Sequence, residues 1–321
     1  MSVLVTGGAG FIGSHLVERL ARRGERVVIV DDFNDYYSPK LKRANAEEVR
    51  GKGDVTVVEG DIRDAEFMEH LFTEGGFEAV IHLAARAGVR PSLVAPQLYV
   101  DVNVRGTLNL LECARRHGVE RLVFASSSSV YGSSRDVPFR ETAAADRPAS
   151  PYGATKRAGE LLVYNYHHLY GLKCAVLRFF TAYGPRQRPD MAIHKFARLI
   201  AAGRPLPFYG DGSSARDYTY IDDIVEGVVA AVDSGTGYEI FNLGDSKPVS
   251  LEEMVKTIGA AVGREPVLDR QPDQPGDVPI TFADISKARK MLGFEPKVPF
   301  GEGIGRFVAW YKKAQAEGLV D

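Results

Sequence analysis

Directly after the first apolar run of the chain, Val3–Thr6, stands Gly7-Gly8-Ala9-Gly10-Phe11-Ile12-Gly13. An amphipathic stretch follows at once, with Ile12, Leu16, Val17 and Leu20 on one face before Gly24 stops it. Few folds accommodate a strand, a glycine-dense turn and a helix in so short a span. Glycine permits the tight turn and lets backbone approach a pyrophosphate, which then sits at the positive end of the helix. The 33 glycines among 321 residues exceed the usual share, so where they stand carries information.

The same alternation continues down the chain. Apolar runs at Arg26–Asp31, Val55–Val58, Ala79–Ala84, Arg121–Ala125 and Cys174–Phe180 are separated by helical segments. Runs that are apolar throughout, not at every second residue, suit strands covered on both faces. This predicts an α/β chain with a doubly wound parallel sheet of the Rossmann kind. From Gly184 onward the texture becomes richer in Pro and Gly, as in Pro205-Leu206-Pro207 and Gly210-Asp211-Gly212. We expect a dinucleotide-binding domain over 1–181, joined by a return segment near 219–244 that includes a strand at Glu239–Leu243. Residues 182–218 and 245–321 are expected to form a smaller, loop-rich C-terminal substrate-binding domain.

Composition narrows the function classes. Forty Lys+Arg against 42 Asp+Glu leave a formal net charge of −2, which gives no global field for nucleic acid or an anionic membrane. No window approaches the ~20 apolar residues of a membrane helix, and no secretory leader is expected from MSVLVTGG. Cys113 and Cys174 are the two cysteines, too few for a disulfide framework, which fits a reducing cytoplasm. The seven histidines show no metal-ligand spacing, and no metal site is expected.

Asp31 closes the second apolar run, 18 residues after Gly13, where it can accept hydrogen bonds from an adenosine ribose. A carboxylate there repels a 2′-phosphate, so the expected cofactor is NAD and not NADP. No Lys-Ser/Thr pair follows Gly13, which excludes a P-loop. Asp61, with Ile62, follows the third run; it reads equally as an adenine contact or as a cap for the segment starting at Asp64.

Tyr152 and Lys156 are four residues apart in SPYGATKRAGELL, on one face of a helix expected to begin near Pro151. A free phenol titrates near 10 and is a poor base at neutral pH. A neighbouring ammonium and a positive nicotinamide ring would favour the phenolate and suit Tyr152 as a base for an alcohol proton while hydride leaves carbon; by itself the pair reads equally as a surface Tyr and Lys one turn apart. Ser127 stands 25 residues upstream, within the serine run Ser126 to Ser129 at the end of the fifth strand.

With these residues assembled, the chain resembles the extended short-chain dehydrogenase/reductase family, and within it the nucleotide-sugar epimerases. The resemblance runs along essentially the whole length. It is carried by TGGAGFIGSH, HLAA at 82–85, DVNVRGTLNLLE at 101–112, FASSSSVYG at 124–132, SPYGATK at 150–156, LRFF at 177–180 and RDYTYIDD at 216–223. It implies that Ser127 bonds the reacting oxygen, Tyr152 is the base, and Lys156 holds the nicotinamide ribose. It further implies that Gly7, Gly10, Phe11, Ile12, Gly13, Leu83, Ala84, Ala85 and Asn103 line the cofactor site.

The family also contains dehydratases, with an Asp-Glu pair beside the catalytic residue, and decarboxylases, with a Glu two positions after it. Here those positions are Ser128 and Ser129. The segment Thr181-Ala182-Tyr183-Gly184-Pro185-Arg186-Gln187-Arg188-Pro189-Asp190-Met191-Ala192 is similar to that of UDP-glucuronic acid 4-epimerases. So are Ala87-Gly88-Val89-Arg90 and Gln274-Pro275-Gly276-Asp277. This implies a UDP-sugar substrate whose carboxylate meets Thr181, Arg188 and Ser127 to Ser129, with Arg90 nearby. Phe208 and Arg216 match positions for uracil and diphosphate, and Asp277 a ribose position; Phe208 reads equally as core. A homodimer through the helices around 97–117 and 153–170 is implied as well. A UDP-glucose or UDP-N-acetylhexosamine 4-epimerase is the alternative, then a decarboxylase. A non-catalytic dinucleotide sensor would need neither Tyr152 nor Lys156.

Overall fold

The computed structural model describes residues 1–272 and 279–321. Six apolar runs become strands β1 (Ser2–Thr6), β2 (Arg26–Asp31), β3 (Val55–Glu59), β4 (Ala79–His82), β5 (Arg121–Ser127) and β6 (Lys173–Phe179). With Tyr238–Leu243 on the outer edge beyond β6, they form a seven-stranded sheet, all parallel, in the order edge strand, β6, β5, β4, β1, β2, β3. Alternate residues of each strand feed two cores. Val3, Val5, Ile29, Ile81 and Leu177 pack with Leu16, Val17 and Leu20 on one face. Leu4, Val28, Val80, Phe124 and Val176 pack with Phe72, Leu110 and Val163 on the other. At about 1.5–3 kcal/mol per buried aliphatic side chain, burial on both faces is what makes these strands continuous apolar runs.

Helix α1 (Phe11–Arg22) starts on the glycine turn and ends before Gly24, at φ +80°. β4 stops at His82, two residues short of the apolar run, because Leu83 turns there to donate to the Thr6 carbonyl at 3.1 Å. The chain order reverses between β1 and β4, and a crevice opens there at the carboxyl ends of the strands.

The later part is more regular than its Pro and Gly content implies. Helices Ala192–Ala201, Leu251–Val262 and Phe300–Ala316 have such residues near their ends, and the last two run unbroken through Gly259 and through Gly301, Gly303 and Gly305. Gly203 and Gly263 follow two of the helices at φ +66° and +84°, and Pro299 precedes the third. A second sheet joins Pro248–Ser250, Ala215–Tyr220 and Ile280–Thr281, with Thr181–Tyr183 paired to Ala215–Tyr220. Asp217 staples it: the buried carboxylate accepts from Asp245 N at 2.7 Å, Ser246 N at 3.1 Å and Ala283 N at 3.0 Å. No helix of the described residues is long and apolar enough to cross a membrane.

Candidate active site

A cavity of about 380 Å³ fills the crevice, running from Asp31 at one end to Thr181 and Arg188 at the other. Its floor is the glycine turn. Gly7 adopts φ +72°, donates to Val30 O at 2.7 Å and accepts from Gly10 N at 3.1 Å. A Cβ on Gly13 would stand 2.2 Å from Gly7 O, so the third glycine is what lets helix and turn close on each other. No side chain caps the first turn of α1 and no acid lies in it, leaving its N–H groups directed at the cavity. That cradle fits a dinucleotide pyrophosphate.

Gly7, Gly10, Phe11, Ile12 and Gly13 line the cavity, as do Asp31, Ile62, and Leu83 to Ala85. Asp31 accepts from Ala9 N at 3.2 Å and Phe33 N at 3.0 Å, which fixes its carboxylate at the end of β2; burial pushes its pKa up. Asp61 is not among the residues that line the cavity. Its carboxylate takes the Arg63 guanidinium at 2.5 Å, and it is Asp64 that caps the next helix, accepting from Glu66 N and Phe67 N. Asn103 lies behind the wall on a π-helical turn, Asp101–Gly106. It accepts from Arg86 N at 2.8 Å and donates to Thr155 Oγ1 at 3.0 Å, tying the cofactor wall to the helix of Tyr152.

That helix, Pro151–Tyr170, begins with Ser150 accepting from Gly153 N at 3.1 Å and with Pro151 in its first turn. Tyr152 and Lys156 both face the cavity, beside Ser127, Ser128 and Ser129 from the end of β5 and the short turn after it. Burial pushes the Tyr152 phenol up, while a hydrogen bond with Ser127 and the charge of Arg188 pull it down. The Lys156 ammonium donates to Ala125 O at 2.7 Å. Burial carries its pKa down to about 7, against the pull of Glu160.

At the far end Thr181 and Arg188 line the same wall. Arg188 meets Asp190 through two hydrogen bonds, both 3.0 Å, and lies 5.5 Å over the Tyr36 ring. Asp31 and Asp32 are the carboxylates among the described lining residues, both at the adenosine end. The reacting end therefore holds phenols, an ammonium, hydroxyls and guanidinium groups. Such a set removes and returns an alcohol proton; it has no second acid for expelling water.

The cavity leaves out other residues singled out above. Phe208 is 2% exposed, in a strand, Leu206–Tyr209, that turns the ring into the core against the Gly212 turn. The alternation in Leu206-Pro207-Phe208-Tyr209 decides this, since the residues at 206 and 208 are the buried pair. Arg216 donates to Ala215 O at 2.9 Å beside the second sheet, and Arg90 is exposed outside the cavity; neither lines it. Asp277 and Gln274 lie outside the described residues. Sequence reasoning passed over Tyr36, Tyr37, Lys42 and Arg86, all of which line the cavity. The signal was present in DDFNDYYSPKLK, a connection after β2 too aromatic for a solvated turn.

The model of the family described as GDP-mannose 4,6 dehydratase matches residues 4–307. The chain is 45% identical over 311 residues to the UDP-glucuronate 4-epimerase of Thermodesulfobacterium geofontis, covering 97% of this chain and 96% of that one. Among solved structures it is similar to the UDP-glucuronic acid 4-epimerase of Bacillus cereus in complex with UDP-glucuronic acid and NAD. The TM-score is 0.90 at 34% identity, covering 98% of this chain and 99% of that one. It is also similar to the UDP-glucose 4-epimerase of Thermotoga maritima with UDP-glucose, at TM-score 0.88 and 34% identity, covering 98% and 100%.

Proposed function

The chain belongs to the extended short-chain dehydrogenase/reductase family, in the branch of NAD-dependent nucleotide-sugar enzymes, and from that premise we propose that it inverts C4 of UDP-glucuronic acid to give UDP-galacturonic acid. The observation that carries the reading is the wall where Arg188, its guanidinium also held by Asp190 behind it, and Thr181 stand with Ser127, Ser128 and Ser129, with no carboxylate among the described lining residues at that end. The family model takes its name from a dehydratase, but water loss needs an acid that this wall lacks.

In this reading Gly7, Gly10 and Gly13 admit the pyrophosphate of NAD to the start of α1, and Asp31 takes the adenosine ribose. Bound NAD supplies the acceptor for the hydride of C4 and gives that hydride back. Ser127 orients the C4 hydroxyl, and Tyr152 as phenolate takes its proton as the C–H bond breaks. The 4-keto sugar turns its other face, and Tyr152 returns the proton as the new C–H bond forms. Lys156 holds the nicotinamide ribose and favours the phenolate. The division into an NAD-binding part over 1–181 with 219–244 and a sugar-nucleotide part over 182–218 and 245–321 belongs to the same reading.

The 4-keto uronate is a β-keto acid, which loses CO2 when its carboxylate bond aligns with the carbonyl. Arg188, assisted by Thr181, holds the carboxylate out of that alignment through a charged fork. Arg188→Ala is therefore expected to raise KM for UDP-glucuronate about tenfold or more, since bonds to charged groups are worth about 1.5–3 kcal/mol. It is also expected to release CO2 during turnover. Unchanged turnover together with unchanged CO2 would remove this role. The function itself is tested by giving the protein UDP-glucuronate, UDP-glucose and UDP-N-acetylglucosamine separately and following anomeric protons by NMR. UDP-galacturonate from the first supports the assignment. A pentose product, or inertness there with turnover of UDP-glucose, rejects it.

The chain is further read as a cytoplasmic homodimer, which its two free, buried cysteines and an exposed apolar face suit. Leu93, Val94 and Val100 are 62%, 87% and 52% exposed, near Leu161 and Leu169 of the 151–170 helix at 51% and 63%. Light scattering at micromolar concentration should return twice the 35.1 kDa of the chain; the single mass would contradict it.

A further inference from the structure

Beneath the reacting residues lies a charged cluster that the mechanism above does not use. Glu160, one turn beyond Lys156 on the 151–170 helix, has a fully buried carboxylate. It accepts from Arg178 Nε at 2.9 Å, Arg178 Nη2 at 2.8 Å, Arg157 Nη1 at 2.8 Å and Ser126 Oγ at 2.5 Å. Ser126 and Arg178 are register partners in the β5–β6 pair. One carboxylate therefore bolts the helix of Tyr152 and Lys156 to the strand that carries Ser127 and to that strand's neighbour. Along β5 the three consecutive residues have divided tasks: the Ala125 carbonyl takes the Lys156 ammonium, the Ser126 hydroxyl goes to Glu160, and Ser127 faces the cavity.

Burying an ion pair is costly, and apolar packing of the same volume often serves stability as well. A buried carboxylate held by four donors, beside a buried ammonium, calls for another reason. We propose that Glu160 is a positioning residue of the catalytic centre: it sets the distance between Ser127 and the Tyr152–Lys156 pair, and it supplies the negative charge that keeps Lys156 protonated inside the protein. This rests on the reading of Ser127, Tyr152 and Lys156 as the reacting triad.

The charges around the cluster agree in sign. Arg178 from β6 and Arg157 from the helix hold Glu160 ionised, below the usual carboxylate range. Burial, and after it the charge of Glu160, pushes Tyr238 on the edge strand up to about 12, so it stays neutral. Burial raises Tyr131 as well, against the Arg178 guanidinium that lies 4.8 Å from its ring. On the other side His82 of β4 is held neutral by burial and by Lys156, its pKa lowered to about 3. Tyr152 is the remaining titrating neighbour, and it is raised by burial. Among these groups Glu160 is the anion beside Lys156.

The test uses the full chain labelled with 13C-lysine, with and without NAD, the Lys156 signal being assigned by its loss in Lys156→Met. In the cofactor-free protein Lys156 should titrate near 7. In Glu160→Gln, which keeps the side-chain shape but turns one of the two acceptor oxygens into a donor, it should titrate about one pH unit lower or more, and the alkaline limb of kcat/KM should move down with it. Glu160→Asp, which keeps the charge, should stay near wild type. If Glu160→Gln leaves Arg178 unpaired and does not fold, Glu160→Gln/Arg178→Gln removes both charges together; the lost cation offsets part of the lost anion, so Lys156 should titrate below wild type by less than in the single variant. Ser126→Ala tests the geometric half: kcat should fall about tenfold with the Lys156 titration and KM unchanged. An unshifted Lys156 in the Gln variants, or wild-type kcat in Ser126→Ala, overturns the proposal. Turnover is measured with whichever of the three UDP-sugars the wild-type protein converts. A failure of the UDP-glucuronate assignment then shows in the wild type, while the Lys156 titration decides the role of Glu160 by itself.

Discussion

Tyr152→Phe should lower kcat for C4 inversion by about 10²–10⁴-fold while leaving the melting temperature and the bound NAD close to wild type. The substitution removes one oxygen. The ring keeps its place edge-on to Tyr99, 6.2 Å between centroids, and Ser150 still caps the helix from Gly153 N at 3.1 Å. No other group among the described lining residues at that end is placed to replace the lost base: Ser127 is not basic, the Lys156 nitrogen is held on Ala125 O at 2.7 Å, and Asp31 and Asp32 lie at the opposite end. Burial raises the phenol, so activity in the wild type should climb with pH as the proton leaves. A bound positive ring and a protonated Lys156 draw that climb toward neutrality. Activity within tenfold of wild type in Tyr152→Phe would mean that another group takes the proton.

Gly13→Ala should abolish NAD binding and cost about 1–3 kcal/mol of stability, the range for overpacking a tight interior. Its new methyl would stand 2.2 Å from Gly7 O and 2.7 Å from Gly8 Cα. Both are backbone atoms of the turn, which have no rotamer to move into. Relief comes only by lifting α1 off the turn, and that carries away the N–H groups that face the cavity. Gly51→Ala is the control, because a Cβ there meets nothing within 4 Å and its φ is −80°. Thermal melts and NAD titration of both variants check the contrast. Normal cofactor affinity in Gly13→Ala would show that the turn tolerates the extra atom.

What the sequence made legible follows from which forces act locally. Parallel strands buried on both faces leave unbroken apolar runs, so β1 to β6 were readable to within two residues at their ends. The glycine turn was readable because a backbone–backbone approach excludes every other residue, and the Tyr152–Lys156 pair because helix geometry places residues four apart on one face. Thr181 and Arg188 came through resemblance alone, and both lie on the cavity wall.

The remainder depends on long-range packing. Strands of two to four residues, such as Ile280–Thr281 and Leu206–Tyr209, exist through partners more than fifty residues away, and no local period announces them. That is why the burial of Phe208 was undecided in the sequence. Asp61 was undecided because a carboxylate suits an adenine contact or a helix cap equally; Asp64 supplies the cap, and Arg63, which neither reading considered, takes the Asp61 carboxylate. The Glu160–Arg178 pair was hidden for the opposite reason. Charged residues in a sequence read as surface, and these two are 0% and 1% exposed because each satisfies the other.

The central claim is that the protein lifts hydride from C4 and returns the same hydride to the opposite face. UDP-glucuronate deuterated at C4 tests it most directly, with the product followed by proton NMR in ordinary water. UDP-galacturonate that keeps deuterium at C4, formed with a primary isotope effect on kcat, is the predicted result. Inversion with deuterium lost to solvent, or a decarboxylated pentose as the main product, would contradict it.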